Sequence, residues 1–222
     1  MSLERALALA DLRMEYGRMG LAPADCADTP QTQLERWLRE ALDAGVNEPS
    51  AMNLATVDAD GRPNARIVLL KGLQDGQLTF FTNYDSRKGI CLAASPWAAA
   101  TFFWPELERQ VRIEGTVTKL SPALSDAYFA SRPHGSRIGA LASRQSQPLD
   151  ATETLQARWQ ALAAQYPDDV PRPAHWGGYG LTPVRAEFWQ GRPSRLHDRV
   201  LYLPSVASDG PASGWTRSRL QP

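Results

Sequence analysis

Leu3, Leu7, Ala10 and Met14 recur at near-helical spacing until Gly20, which predicts an amphipathic helix over residues 2–19. A second helix carries clearer end signals: Thr29 as N-cap, Pro30 at the first helical position, a stripe of Leu34, Trp37, Leu38, Ala41 and Leu42, and Gly45 to close it. From Met52 the period changes towards two. Met52 to Val57, a turn at Asp58-Ala59-Asp60-Gly61, and Arg62 to Lys71 read as a hairpin. Leu78 to Thr82 and Thr101 to Trp104 predict further strands. In the next segment Val111, Ile113, Gly115 and Val117 alternate with Arg112, Glu114, Thr116 and Thr118, the pattern of a strand with one wet face.

Ser121-Pro122 opens a short helix that must end before Pro133, because a residue preceding proline is pushed out of the helical region. Asp150 is placed to cap a helix bearing Leu155, Trp159, Leu162 and Ala163, which ends before Pro167. Ala186 to Gln190 and Arg199 to Leu203 predict two more strands, and Pro204 to Gly214 reads as a flexible loop. Successive antiparallel strands without regularly alternating helices predict a mainly β fold, a small barrel with flanking helices. The 222 residues are expected to form one domain, with a helical segment over about 1–45 and a C-terminal part over about 170–222.

Twenty-four Lys and Arg balance 24 Asp and Glu, so the chain lacks the basic field that duplex nucleic acid calls for. No apolar run reaches the ~20 residues of a membrane span, and the charged first 20 residues do not resemble a signal peptide, so a cytoplasmic protein is expected. Cys26 and Cys91 lack metal-ligand spacing and are too few for a disulfide framework, and His134, His175 and His197 stand far apart. No metal is expected. Gly178-Tyr179-Gly180 is not a dinucleotide fingerprint, and Gly135-Ser136-Arg137-Ile138-Gly139 is not a nucleophile elbow. Among the cations only Lys71, Lys88 and Lys119 are lysines, so each retained lysine is a candidate contact.

Three charged clusters fall near strand ends. Arg66 and Lys71 bracket an apolar strand at odd separation, which puts them on opposite faces unless the strand bends. Arg87 and Lys88 occupy the first turn of a helix that Ser86 can cap, where they oppose the helix dipole unless a phosphate or solvent compensates. If residues 195–199 are extended, Arg195, His197 and Arg199 form one cationic comb facing something anionic, or else Asp198 and solvent suffice.

Arg66 to Lys71, Ser86-Arg87-Lys88, Leu107 to Val111, Ser143 to Ser146, Glu187 to Gly191 and Arg195 to Arg199, taken in this order, resemble the pyridoxine/pyridoxamine 5′-phosphate oxidase family. The likeness runs from Leu12-Arg13-Met14-Glu15-Tyr16 to the C-terminal Arg219-Leu220-Gln221-Pro222. It implies an FMN-binding split β-barrel, a homodimer with FMN at the subunit interface, and oxidation of pyridoxine or pyridoxamine 5′-phosphate to pyridoxal 5′-phosphate. It further implies that the segment from Arg66 through Ile67, Val68, Leu69 and Leu70 to Lys71 binds FMN, with Arg87 and Lys88 at its phosphate. Phe81, Thr82, Gln110, Gln145, Ser146, Trp189 and Arg199 match positions around the rest of the flavin. Lys71, Tyr128, Arg132 and Ser136 match substrate-phosphate positions. Arg195 and His197 match catalytic positions over the substrate ring, and Arg13 and Tyr16 match a segment that closes on it. The competing readings are a flavin reductase-like split-barrel protein and a non-catalytic FMN- or pyridoxal phosphate-binding protein.

Overall fold

The computed structural model of the chain describes residue 17 and residues 20–205 and 214–222. The helix expected over 2–19, with Arg13 and Tyr16, lies outside the described residues apart from Gly17, as does most of the loop expected over 204–214. Helix α1 spans Pro30–Asp43, and the Thr29 side chain accepts from the Thr32 backbone N–H. Leu34, Trp37 and Ala41 are buried along one face, whereas Leu42, expected on that stripe, is exposed. Strands β1 (Ala51–Val57) and β2 (Pro63–Leu69) form the expected hairpin, followed by the short β3 (Gly72–Gln74) and by β4 (Gln77–Asn83). Helix α2 (Arg87–Ala94), β5 (Trp97–Trp104) and β6 (Arg109–Lys119) come next, then α3 (Pro122–Ser131), α4 (His134–Ala142) and α5 (Thr152–Gln165). The chain finishes with β7 (Trp176–Gln190), β8 (Asp198–Pro204) and β9 (Trp215–Leu220).

All nine described strands belong to one sheet, ordered β2-β1-β5-β6-β7-β4-β3, with β8 and β9 added beyond β7. Its end strands β2 and β3 are separated in sequence only by Leu70 and Lys71. Two residues cannot span an open sheet of this width, so the sheet curls back on itself. The Lys71 N–H donates to Thr79 O at 2.8 Å, extending the β3–β4 ladder up to the link with β2. Met52, Leu54, Phe80, Phe102, Val111, Ile113 and Phe188 fill the interior. This is the split-barrel, mainly β architecture with flanking helices that the sequence predicts.

Three elements depart from expectation. Strand β7 is 15 residues long, whereas the sequence pattern predicts only its last five, because Gly177, Gly178, Gly180 and Pro183 weaken the alternation. Pro183 is tolerated where the β6–β7 register shifts between Glu114 and Gly115, a position at which the ladder is interrupted. Helix α4 carries no clear sequence signal, since Gly135 and Gly139 lower its intrinsic propensity and Pro133 at its N-cap offers no side-chain acceptor. Helix α5 starts at Thr152 after an Ala151 that makes no side-chain cap, so Asp150 does not act as the N-cap. Among the described residues no helix is long and apolar enough to cross a membrane.

Candidate active site

A cleft of about 830 Å³ opens where β2, β4, the first turn of α2 and the α3–α4 pair converge. Arg66, Ile67, Val68, Leu69 and Lys71 line it from β2 and the following turn, Phe81 and Thr82 from β4, and Arg87 and Lys88 from α2. Tyr128, Arg132 and Ser136 reach it from α3 and α4, and Gln145 and Ser146 from the turn beyond. The lining thus contains five cationic side chains and no carboxylate. Like charges gathered without acidic partners raise one another's energy, so the cleft is built to receive anions.

The two ends of the β2 motif reach one cleft rather than opposite faces. The strand stops at Leu69, and the turn through Leu70 carries Lys71 round to the same opening. Leu70 itself is only 7% exposed and packs in the barrel core, with its N–H donated to Ser50 O at 2.8 Å, so its side chain is not part of the lining. Arg66 is steadied by Leu54 O at 2.8 Å, Thr56 Oγ1 at 3.0 Å and the Asn64 side chain. All three acceptors are neutral, so the guanidinium keeps its charge for a ligand.

Ser86 caps α2, accepting from the Gly89 N–H. A Cβ at Gly89 would lie 2.0 Å from Tyr84 O, so only glycine lets the Tyr84 backbone approach this first turn. Buried Lys88 points its ammonium at Thr82 Oγ1 (2.9 Å), Ser86 Oγ (3.0 Å) and Gln145 Oε1 (2.7 Å). Burial, with the nearby Arg66 charge, draws its pKa down to about 8. Burial likewise lowers that of Arg66. These shifts mark cations whose hydration has been removed and not replaced by a carboxylate.

Helix α3 ends at Ser131, and Arg132 already has extended backbone, as Pro133 requires. Its guanidinium lies 4.6 Å over the Trp176 ring, and its Nη1 is buried with no hydrogen-bond partner. Tyr128 stacks on Phe81 with ring centroids 3.8 Å apart. Trp176, Asn64 and Asn83 also line the cleft and were not anticipated from sequence. Asn64 shares the β2 face of Arg66 two residues on, a signal the alternation contained. Trp176 carried none, because its strand was hidden by the glycines after it.

Gln110, Trp189, Arg195, His197 and Arg199 do not line this cleft. Register instead places Phe103, Gln110, Trp189 and Arg199 in one cross-strand row over β5, β6, β7 and β8. The cationic comb is not extended: Pro193–Arg195 forms a single 3-10 turn, and Ser194 and Arg195 have φ of 56° and 60°. Its members are also not three free cations. Arg199 is held by both carboxylate oxygens of buried Glu187, at 2.8 and 2.9 Å. Burial and the Arg195 charge lower the His197 pKa. His197 Nδ1 accepts the Arg192 N–H at 3.1 Å, which puts the proton of the neutral ring on Nε2. Its ring lies 4.6 Å from that of Trp189. Asp198 accepts the Leu21 N–H at 3.0 Å and pairs with Arg192 and Arg219, fastening the first described residues to the C-terminal strands.

Comparison with known proteins places this geometry. Residues 38–166 match the pyridoxamine 5′-phosphate oxidase family, and residues 176–222 match the pyridoxine 5′-phosphate oxidase C-terminal dimerisation region. The chain is 58% identical over 217 residues to a pyridoxine/pyridoxamine 5′-phosphate oxidase of Chromobacterium violaceum, covering 98% of this chain and 100% of that one. It is 59% identical over 214 residues to the protein of the same name from Burkholderia cenocepacia, covering 96% and 99%. Among solved structures, PhzG from Burkholderia lata in complex with tetrahydrophenazine-1-carboxylic acid superposes with a TM-score of 0.85 at 32% identity, over 94% of this chain and 100% of that one. A pyridoxamine 5′-phosphate oxidase-related, FMN-binding protein from Nostoc punctiforme shares the fold, with a TM-score of 0.69 at 19% identity over 87% and 98% of the two chains.

Proposed function

The chain belongs to the pyridoxine/pyridoxamine 5′-phosphate oxidase family, and on that premise we propose that it is an FMN-dependent oxidase. It converts pyridoxine 5′-phosphate and O2 to pyridoxal 5′-phosphate and H2O2. With pyridoxamine 5′-phosphate, one water is also consumed and ammonia released. The observation that carries this reading is the cleft of five cations with no carboxylate, in which one buried guanidinium nitrogen lacks a partner. A phosphate ester supplies the missing acceptors.

The cations divide into two groups, which suits two phosphorylated ligands. Arg66, Arg87 and Lys88 gather beside the first turn of α2 and would hold the FMN phosphate, helped by the positive end of the helix dipole. Lys71 and Arg132, with the hydroxyls of Tyr128 and Ser136, would grip the substrate phosphate and so fix the ring at a set distance from that anchor. Bound FMN would supply the two-electron acceptor and its reoxidation by O2.

The remaining expected residues are read as coming from a second copy. Ile67, Asn53, Thr101, Arg112 and Glu187 follow one another across β2, β1, β5, β6 and β7 in a row parallel to that of Phe103, Gln110, Trp189 and Arg199. One outer sheet face therefore runs from the cleft rim at Ile67 to the Trp189 cluster. Ile67 and Phe103 on it are 65% and 55% exposed, so the face offers apolar surface for a second copy to cover. A two-fold pairing of this face would set each Trp189 cluster against the partner's cleft, delivering Arg195 and neutral His197 to the substrate. His197 would act there as a hydrogen-bond donor through Nε2, with Arg195 as the neighbouring cation. Residues 1–222 are proposed to form one split-barrel domain that works in the cytoplasm.

The direct test is to purify the protein, record its flavin spectrum, saturate it with FMN and add pyridoxine 5′-phosphate in air. Stoichiometric pyridoxal 5′-phosphate and peroxide are expected. An FMN-saturated dimer that makes neither would overturn the reading.

A further inference from the structure

Resting on the substrate reading above, we propose that Trp176 is a positioning residue that presents the Arg132 guanidinium to the substrate phosphate while leaving its charge uncancelled. The argument starts from how an arginine can be held in place. A carboxylate holds the guanidinium by its N–H edge, and in doing so neutralises it and consumes the donors a ligand needs. An aromatic face holds it by the flat surface, so the N–H groups in the guanidinium plane stay available.

Both arrangements occur in this chain. Arg199 is held edge-on by both oxygens of Glu187. Arg132 instead lies over Trp176 at 4.6 Å, with Phe129 as a second ring at 5.6 Å. No ion pair or hydrogen bond engages its side chain among the described residues, and Nη1 is buried without a partner. The helix itself does not supply such a hold. Arg132 has left the helix, so its backbone does not by itself fix where the side chain points.

Trp176 is itself firmly seated. It is 6% exposed, its N–H donates to Pro173 O at 3.0 Å, its carbonyl accepts from Arg172 Nη1 at 2.7 Å, and Phe129 packs edge-on against it at 5.0 Å. It pairs in register with Asn83, so the sheet that shapes the cofactor end of the cleft also sets this ring. The Tyr128 ring is parallel to it within 2° at 6.2 Å, and Phe81 lies beside both, 5.7 Å from Trp176 and 3.8 Å from Tyr128. Trp176 thereby bears directly on the cation, while Phe81 is the ring stacked on the phenol proposed for the substrate phosphate.

The test compares ligands with and without a phosphate on the FMN-saturated dimer. Trp176→Leu should weaken binding of pyridoxal 5′-phosphate and of inorganic phosphate about tenfold, and leave that of pyridoxal within about twofold. Trp176→Phe, which keeps an aromatic face and the packing, should recover most of the loss. In an Arg132→Gln background Trp176→Leu should add nothing further, since the two act as a unit. Equal weakening of pyridoxal and pyridoxal 5′-phosphate, full additivity with Arg132→Gln, or no effect of either Trp176 variant would each overturn the proposal. If the unaltered protein binds phosphate through Arg132 and Trp176 yet oxidises no vitamin B6 phosphate, the substrate reading falls and the positioning role stands.

Discussion

Lys88 Nζ lies 2.7 Å from Gln145 Oε1, a bond that joins the first turn of α2 to the turn that follows α4. With Thr82 and Ser86 it completes a set of three neutral acceptors around a buried ammonium. The lysine is thus held in place but not neutralised, and its proton is easily lost.

That gives FMN binding a pH dependence. The folded-state pKa of about 8 lies below the ordinary 10.5, so Lys88 is charged below pH 8 in the ligand-free protein and neutral above it. A phosphate favours the cation, and binding above pH 8 must take up a proton. The FMN Kd should be flat between about pH 7 and 7.5, above the second ionisation of the phosphate, and rise up to about tenfold per unit above pH 8. The stability linkage has the opposite sign: charged Lys88 costs the ligand-free fold stability below pH 8, and the cost disappears as pH rises from about 8 to 10.5. Lys88→Arg should remove both trends in fluorescence titrations and urea melts, and a Kd unchanged to pH 10 would refute the assignment.

Breaking the Glu187–Arg199 pair should cost stability. Glu187→Ala leaves a half-buried guanidinium without its carboxylate, and a loss of about 2 kcal/mol is expected in urea unfolding. Replacing both residues with methionine should return most of it, because no unpaired charge is then left behind.

Subunit mixing tests whether the site is shared. Arg132→Gln and Arg195→Ala dimers should each be nearly inactive. If the two residues act in one site from different chains, each mixed dimer has one intact site, and random re-association should restore about a quarter of full activity. No recovery after verified exchange would place both residues in one subunit's site.

The exposed face around Phe103 should be what the second copy covers. Phe103→Asp is expected to shift the protein to monomer in sedimentation velocity and to lower its flavin content, while leaving the far-ultraviolet circular dichroism unchanged, since the side chain contributes little to the monomer core.

Gly89→Ala should be severe for so small a change. The added Cβ meets the Tyr84 backbone, which cannot rotate away, and a cost of about 1–3 kcal/mol with loss of FMN retention is expected from calorimetry and flavin absorbance.

How much of this was legible before the structure differs by element. The α1 helix, the β1–β2 hairpin and the alternating face of β6 follow from local spacing and caps, because burial there obeys a short period that neighbours in sequence reveal. Strand β7 was only half legible, since its glycines are demanded by contacts from distant residues: a Cβ on Gly178 would lie 2.8 Å from Phe81 and 2.6 Å from Leu120.

The sequence alone determined which residues are candidates for anion binding, through the charged clusters around Arg66, Lys88 and Arg195 and, for Arg132, through the family resemblance, and it determined a mainly β fold through its successive period-two strands. Tertiary structure alone decided how those cations are grouped and which keep their charge. It closed the sheet so that Arg66 and Lys71 share one cleft, turned the 193–195 segment away from an extended comb, cancelled Arg199 with Glu187 and laid Arg132 on Trp176. The physical reason is that charge compensation depends on distances of a few ångströms between residues far apart in the chain, such as the 44 positions between Arg132 and Trp176, and no local pattern encodes such a pairing.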